Sequence, residues 1–126
     1  MGRSATLRRM KMTNFVSKGP GFYARPGHFR IGFENGWMVS VYFRPNGYCE
    51  NYDFPLEGLQ WYGCKDAEVR IEPPDEDFKR AHDFILTIKD SNWVYDHTQG
   101  TGILGYVEPE DLAQIIAAVA AIEKDA

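Results

Sequence analysis

Apolar and polar residues alternate through residues 28–33, placing Phe29, Ile31 and Phe33 on one face of a strand and His28, Arg30 and Gly32 on the other. A second alternation over residues 37–43 gathers Trp37, Val39, Val41 and Phe43. The connection must keep both apolar sets on one side, because a one-residue slip of register carries every side chain to the opposite face. A two-residue Asn35-Gly36 loop would pair Phe33 with Met38 and split the sets. A three-residue loop, Glu34-Asn35-Gly36 with Gly36 left-handed in a bulge, pairs Phe33 with Trp37, Ile31 with Val39 and Phe29 with Val41, and is the predicted hairpin.

Pro45-Asn46-Gly47 ends the second strand, and residues 48–55 read as an ordered loop rich in hydrogen-bonding groups. Further strands are expected at residues 67–71, where Ala67, Val69 and Ile71 alternate, and at residues 84–88, with an acidic connection over residues 72–77. Residues 78–83 are compatible with a short helix. Asp90-Ser91-Asn92 reads as a turn leading into Trp93-Val94-Tyr95. At the end of the chain Pro109 suits a first helical position, and Glu108, Glu110 and Asp111 place negative charge at the positive helix end. Leu112, Ile115, Ile116, Val119 and Ile122 recur at helical spacing, and burying them is worth at most roughly 10 kcal/mol, so the helix should lie on the apolar face of the sheet. Lys124 suits the negative end of the helix dipole. The expected architecture is α+β: an antiparallel β-sheet with a central hairpin (28–43) and a C-terminal helix (about 109–123) packed on one face.

A chain of 126 residues hides roughly two-thirds of its extended surface on folding, enough for one unaided core. The single domain is expected over residues 21–126, behind a basic leader over residues 1–20 that resembles a poorly ordered tail. Cys49 and Cys64 are too few for a disulfide scaffold or a zinc cage, the first 25 residues lack the apolar run of a signal peptide, and no run of 18 apolar residues occurs. Those features point to a cytoplasmic protein with reduced thiols and no membrane span.

Charge is divided sharply along the chain. The first 33 residues carry seven cations and no anion, whereas the remainder carries seven cations against eighteen anions, so a net −4 conceals +7 followed by −11. A basic segment of this kind attracts anions. Catalytic motifs are missing: there is no glycine-rich dinucleotide or phosphate loop and no nucleophile elbow, and His28, His82 and His97 are too dispersed to imply a metal site. Cys49 reads as a small packing residue unless a histidine lies within reach of it. No cofactor is expected.

What remains is binding chemistry. Twelve of the eighteen aromatic residues fall between Phe22 and Tyr62. Flat rings stack on nucleobases for about 1 to 3 kcal/mol each, arginine forks grip phosphates, and amides read base or ribose edges. Arg44, Asn46, Tyr48, Asn51 and Tyr52 supply all three types within nine residues, and Arg25, Arg30, Trp61 and Trp93 are candidates to join them. The same tyrosines and tryptophans also serve to cover a sheet, so packing is the competing reading.

Gly21-Phe22, Phe33-Glu-Asn-Gly-Trp-Met-Val-Ser-Val-Tyr-Phe43, Tyr48-Cys-Glu-Asn51, Asp66-Ala-Glu-Val-Arg-Ile71 and Gly105-Tyr-Val-Glu-Pro-Glu-Asp-Leu112 together resemble a family of small phage-borne proteins. The resemblance is to the first type of Thoeris anti-defence protein, a sponge for cyclic ADP-ribose signals and, in some members, cyclic oligonucleotides. It spans roughly residues 21–122 and implies a non-catalytic protein that sequesters a cyclic nucleotide immune signal in the host bacterial cytoplasm, as a homodimer or larger homo-oligomer. Two features depart from that pattern: Arg44 stands where a glycine is usual, and residues 72–90 form a longer segment. The ligand-binding residues Arg25, Arg30, Arg44, Asn46, Tyr48, Asn51, Tyr52 and Trp93 therefore rest on their chemistry alone. The alternative is a phage accessory module that binds nucleic acid or a host protein through the basic first third, without a small-molecule pocket.

Overall fold

The structure is a computed structural model and describes residues 19–44, 47–50 and 63–124. The leader expected over residues 1–20 falls almost entirely outside these residues, as do Asn46, Asn51, Tyr52, Trp61 and most of the loop expected over residues 48–55. The described elements are β1 (Gly21–Arg25), β2 (His28–Gly32), β3 (Met38–Tyr42), β4 (Ala67–Glu72), α1 (Phe78–Ile85), α2 (Ser91–His97), β5 (Thr98–Gly100), β6 (Ile103–Val107) and α3 (Pro109–Ala120). Six strands form one antiparallel sheet in the order β1-β2-β3-β4-β6-β5, and the fold is α+β.

The central hairpin has the three-residue connection. Ile31 pairs with Val39 and Phe29 with Val41, the Phe33 N–H donates to the Trp37 carbonyl at 2.9 Å, and Gly36 has φ +88°. A β-carbon on Gly36 would also meet the Pro74 side chain at 3.0 Å, so the turn needs glycine for conformation and for room. β1 is an addition to the expected layout: Arg25 pairs with His28 across a two-residue Pro26-Gly27 turn.

Two local expectations are corrected. Residues 84–88 are not a strand, because Phe84 and Ile85 complete α1 and residues 86–88 turn away from it. The deciding pattern is the spacing of Ala81, Phe84, Ile85 and Ile88 behind an Asp77 cap whose carboxylate accepts the Arg80 N–H at 3.3 Å. Likewise Asp90 caps a helix, accepting the Trp93 N–H at 2.9 Å, so Trp93, Val94 and Tyr95 are helical.

The helices cover one face of the sheet. Val39 and Val69 from the strands, Ile85 from α1 and Ile115 and Val119 from α3 are buried in one core. α3 begins at Pro109 as expected and carries Glu110 and Asp111 in its first turn, but its last turn holds no basic residue. Asn35 in the hairpin turn closes that end instead: its Nδ2 donates to the carbonyls of Val119 at 2.9 Å and Ile122 at 2.8 Å, while its Oδ1 accepts the Trp37 N–H at 2.9 Å. The hairpin side chain thus adds to the backbone bond that the Ile122 N–H makes to the Val119 carbonyl at 3.2 Å and pins the residue just past the helix end.

Candidate functional site

Alternation sends His28, Arg30, Ser40, Tyr42, Glu68, Arg70 and Glu72 to the sheet face opposite the helices. The registers set His28, Tyr42 and Glu68 in one row across β2, β3 and β4, and Arg30, Ser40 and Arg70 in the next. β1 adds Arg25 beside His28 and Tyr23 beside Arg30.

These side chains are tied into two networks. In one, the His28 ring stacks on Tyr42 with centroids 4.0 Å apart and planes at 11°, and the Arg70 guanidinium lies 4.8 Å from the centre of the same tyrosine ring. Arg70 Nε donates to Glu68 Oε2 at 2.7 Å, and Glu68 Oε1 accepts the Tyr48 N–H at 3.1 Å. Glu68 is 3% exposed, so its charge is neutralised and hydrogen-bonded in place rather than solvated. In the other, Arg30 Nε donates to Ser40 Oγ at 3.1 Å, and Ser40 in turn donates to Glu72 Oε2 at 2.5 Å.

His28 stands apart. It is 9% exposed, and its Nε2 is buried without a hydrogen-bond partner. Burial first, then the charges of Arg25, Arg30 and Arg44 against the opposing pull of Glu72, lower its pKa from 6.5 to about 4. The imidazole is therefore neutral at physiological pH, in a strongly cationic neighbourhood. Arg25 and Arg44 are exposed, and neither has a carboxylate partner among the described residues. Tyr48 is held nearby by its backbone, its N–H on Glu68 and its carbonyl accepting the Tyr106 N–H at 2.8 Å. Gly105 permits that approach, since a β-carbon there would lie 2.9 Å from Tyr48 Cβ and 2.8 Å from Gln99 Cγ.

Arg25, Arg30, Arg44 and Tyr48 thus gather at one end of this face, and Trp93 does not. Trp93 packs against the core on the helical side, its indole N–H donating to Asp111 Oδ2 at 3.3 Å and its ring occupied by His97 at 4.1 Å and Lys89 at 5.0 Å. Lys89 Nζ also donates to Asp111 Oδ1 and Gln114 Oε1, making this cluster a joint between α2 and α3. Asn46, Asn51 and Tyr52 lie outside the described residues. Sequence reasoning passed over His28, Tyr42, Glu68 and Arg70 as members of the site, although alternation already placed His28 with Arg30; the cross-strand rows are the signal that joins them.

Cys49 is 1% exposed, its Sγ 3.8 Å from the Arg44 carbonyl. Among the described residues no group of three or more His, Cys, Asp or Glu is arranged to hold a metal ion, and no helix is long and apolar enough to cross a membrane. A cleft of about 600 Å³ at the hairpin tip is lined by Phe33, Asn35, Pro74, Asp75, Arg80 and Lys124, but Arg80 there is already paired with Asp75 at 2.9 Å and lies over the Trp37 ring. The arginine end of the sheet is the described surface best suited to attract an anion. No family model, curated protein or solved structure matches this chain.

Proposed function

We propose that this protein binds a phosphate-bearing, nucleotide-like ligand at the arginine end of the polar sheet face and sequesters it without transforming it chemically. The observation that carries the reading is the grouping of Arg25, Arg30 and Arg44 around a neutral histidine, with Arg25 and Arg44 exposed and without carboxylate partners among the described residues. Guanidinium groups in this setting suit phosphate oxygens, which they meet with paired N–H donors. Tyr48, anchored through its backbone to Glu68 and Tyr106, is the aromatic residue proposed to contribute stacking at this end. Tyr42 is already flanked by His28 and Arg70, so phosphate recognition outweighs base stacking.

The ligand class proposed first is the one the sequence resemblance implies, a cyclic nucleotide signal of bacterial immunity such as a cyclic ADP-ribose isomer, captured by a phage counter-defence protein in the host cytoplasm. A homodimer or larger assembly completes the pocket in this proposal. β1 supports it, because this edge strand carries Arg25 and leaves its outer side unpaired among the described residues. The test is to incubate purified protein with cyclic ADP-ribose isomers, ADP-ribose and cyclic oligonucleotides, remove free ligand, denature by heat and identify what is released intact by mass spectrometry. Capture of an intact nucleotide, lost in the Arg25→Ala/Arg44→Ala double variant, is the expected result. Capture unchanged in that variant, or chemical conversion of the ligand, would overturn the proposal.

A further inference from the structure

Resting on the anion-binding reading above, we propose that His28 makes this site selective for charge by taking up a proton as an anion reaches the surrounding arginines. The geometry supplies both halves of such a device. The ring is clamped flat against Tyr42 at 4.0 Å, and its Nε2 sits in the protein interior with nothing to donate to or accept from. A neutral imidazole offers one donor and one acceptor, whereas the protonated ring offers two donors. Leaving a buried polar atom unpaired is costly, so the ring is held in place by its stacking on Tyr42 against that cost and is coupled to a ligand at the arginines through charge rather than through direct contact.

The groups facing His28 come from several elements. Arg25 reaches it from β1, Arg30 from its own strand β2, Tyr42 from β3, Arg44 from the segment after β3 and Glu72 from β4, while Glu68 and Arg70 of β4 lie beyond the Tyr42 ring. The charges of Arg25, Arg30 and Arg44 act against protonation of the ring, and Glu72 acts in its favour. Burial is the largest cause that keeps the ring neutral and the arginine charges come next; those charges are the part an anion cancels, so the imidazole is the group in this set whose charge responds to one. Proton uptake from solvent then adds a fourth positive charge where the ligand is negative. An uncharged ligand leaves the field, and therefore His28, unaltered.

The expected consequence is coupling between ligand and proton. Affinity for ADP-ribose, whose phosphates do not titrate near neutrality, should rise by up to about tenfold for each pH unit of acidification below neutrality. Affinity for adenosine should not change over that interval. Calorimetry of the full chain in buffers of different ionisation heat counts the protons directly: uptake is expected with ADP-ribose and none with adenosine. His28→Phe keeps a ring against Tyr42 and should flatten the pH dependence for ADP-ribose. Should that variant fail to fold, the His28 ring-proton resonance of the wild-type protein is titrated with and without ADP-ribose, and its midpoint should move up when ligand is present. Binding without proton uptake overturns the role of His28 while leaving the anion site standing. Absence of ADP-ribose binding at every pH overturns both.

Discussion

The Tyr106 N–H donates to the Tyr48 carbonyl at 2.8 Å, stitching the segment after β3 onto β6 two strands away. The contact is possible only because the neighbouring residue is Gly105, where a β-carbon would come within 3.0 Å of atoms close to two other backbones. Gly105→Ala should therefore push Tyr48 off both Tyr106 and Glu68 and cost about 2 kcal/mol, in the range of overpacked sites. Urea unfolding measures that loss, and nucleotide capture should fall with it. An unchanged unfolding midpoint would show that the segment yields freely.

His28 gives stability a dependence on pH. Its folded-state pKa of about 4 lies below the 6.5 of the unfolded chain, chiefly through burial and then through Arg25 and Arg30. Between those values the unfolded chain binds the proton and the folded protein does not, so stability falls as pH falls from 6.5 toward 4, by about 3 kcal/mol at the lower end. His28→Phe should remove that slope. Chemical denaturation at several pH values checks it, and a variant that retains the full slope would assign it to another group.

The joint between α2 and α3 titrates in a lower window. The hydrogen bond from Lys89 is the main cause that holds the Asp111 carboxyl below its usual range, so its contribution is present at neutrality and is lost only as acid carries the pH down through the carboxylate range. Lys89→Ala leaves Asp111 half-buried without its cation and should cost about 1–3 kcal/mol. Trp93, whose ring lies against Lys89 and whose N–H meets Asp111, should report the change as a shift in fluorescence emission.

Asn35 can be tested by two substitutions with different expectations. Asn35→Ala removes donors to the Val119 and Ile122 carbonyls and the acceptor for the Trp37 N–H, a loss of about 1–3 kcal/mol. Asn35→Asp keeps the acceptor but sets a negative charge against the negative end of α3, and should be the worse of the two. Thermal unfolding ranks them, and the reverse order would mean that the amide contributes little to the helix end.

The parts of this fold that were legible are those in which period and turn chemistry agree. Phe33, Trp37 and Gly36 fixed the hairpin register, because one loop length alone kept both apolar sets together. Pro109 and the Leu112-to-Val119 spacing likewise fixed α3. Residues 84–88 misled because Phe84-Ile85-Leu86-Thr87-Ile88 has a strand-like composition, while the helical spacing that prevails begins earlier, at Ala81 behind Asp77. β1 escaped notice for a physical reason: on an edge strand Phe22 can remain 84% exposed, so burial imposes no alternation to read. At the candidate site, the placement of His28 and Arg30 on one face followed from alternation. The Glu68–Arg70 pair beside them depends on the β3–β4 register, which no short hairpin loop fixes, because Tyr42 and Ala67 are joined by a long stretch of chain.

Asn35 and Val119 are 84 residues apart in the chain. During synthesis the hairpin turn emerges early, with its amide turned toward a helix that does not yet exist. Local pairing can form β1, β2 and β3 within moments of their release, but the turn cannot be completed until the last helix has docked, and closing so long a segment is slow compared with making a hairpin. The clasp between turn and helix is therefore a late event that only a fully made chain can reach. Between those two moments the apolar side of the hairpin is uncovered by α3, the interval in which a growing chain is most open to capture by a chaperone or by another copy of itself.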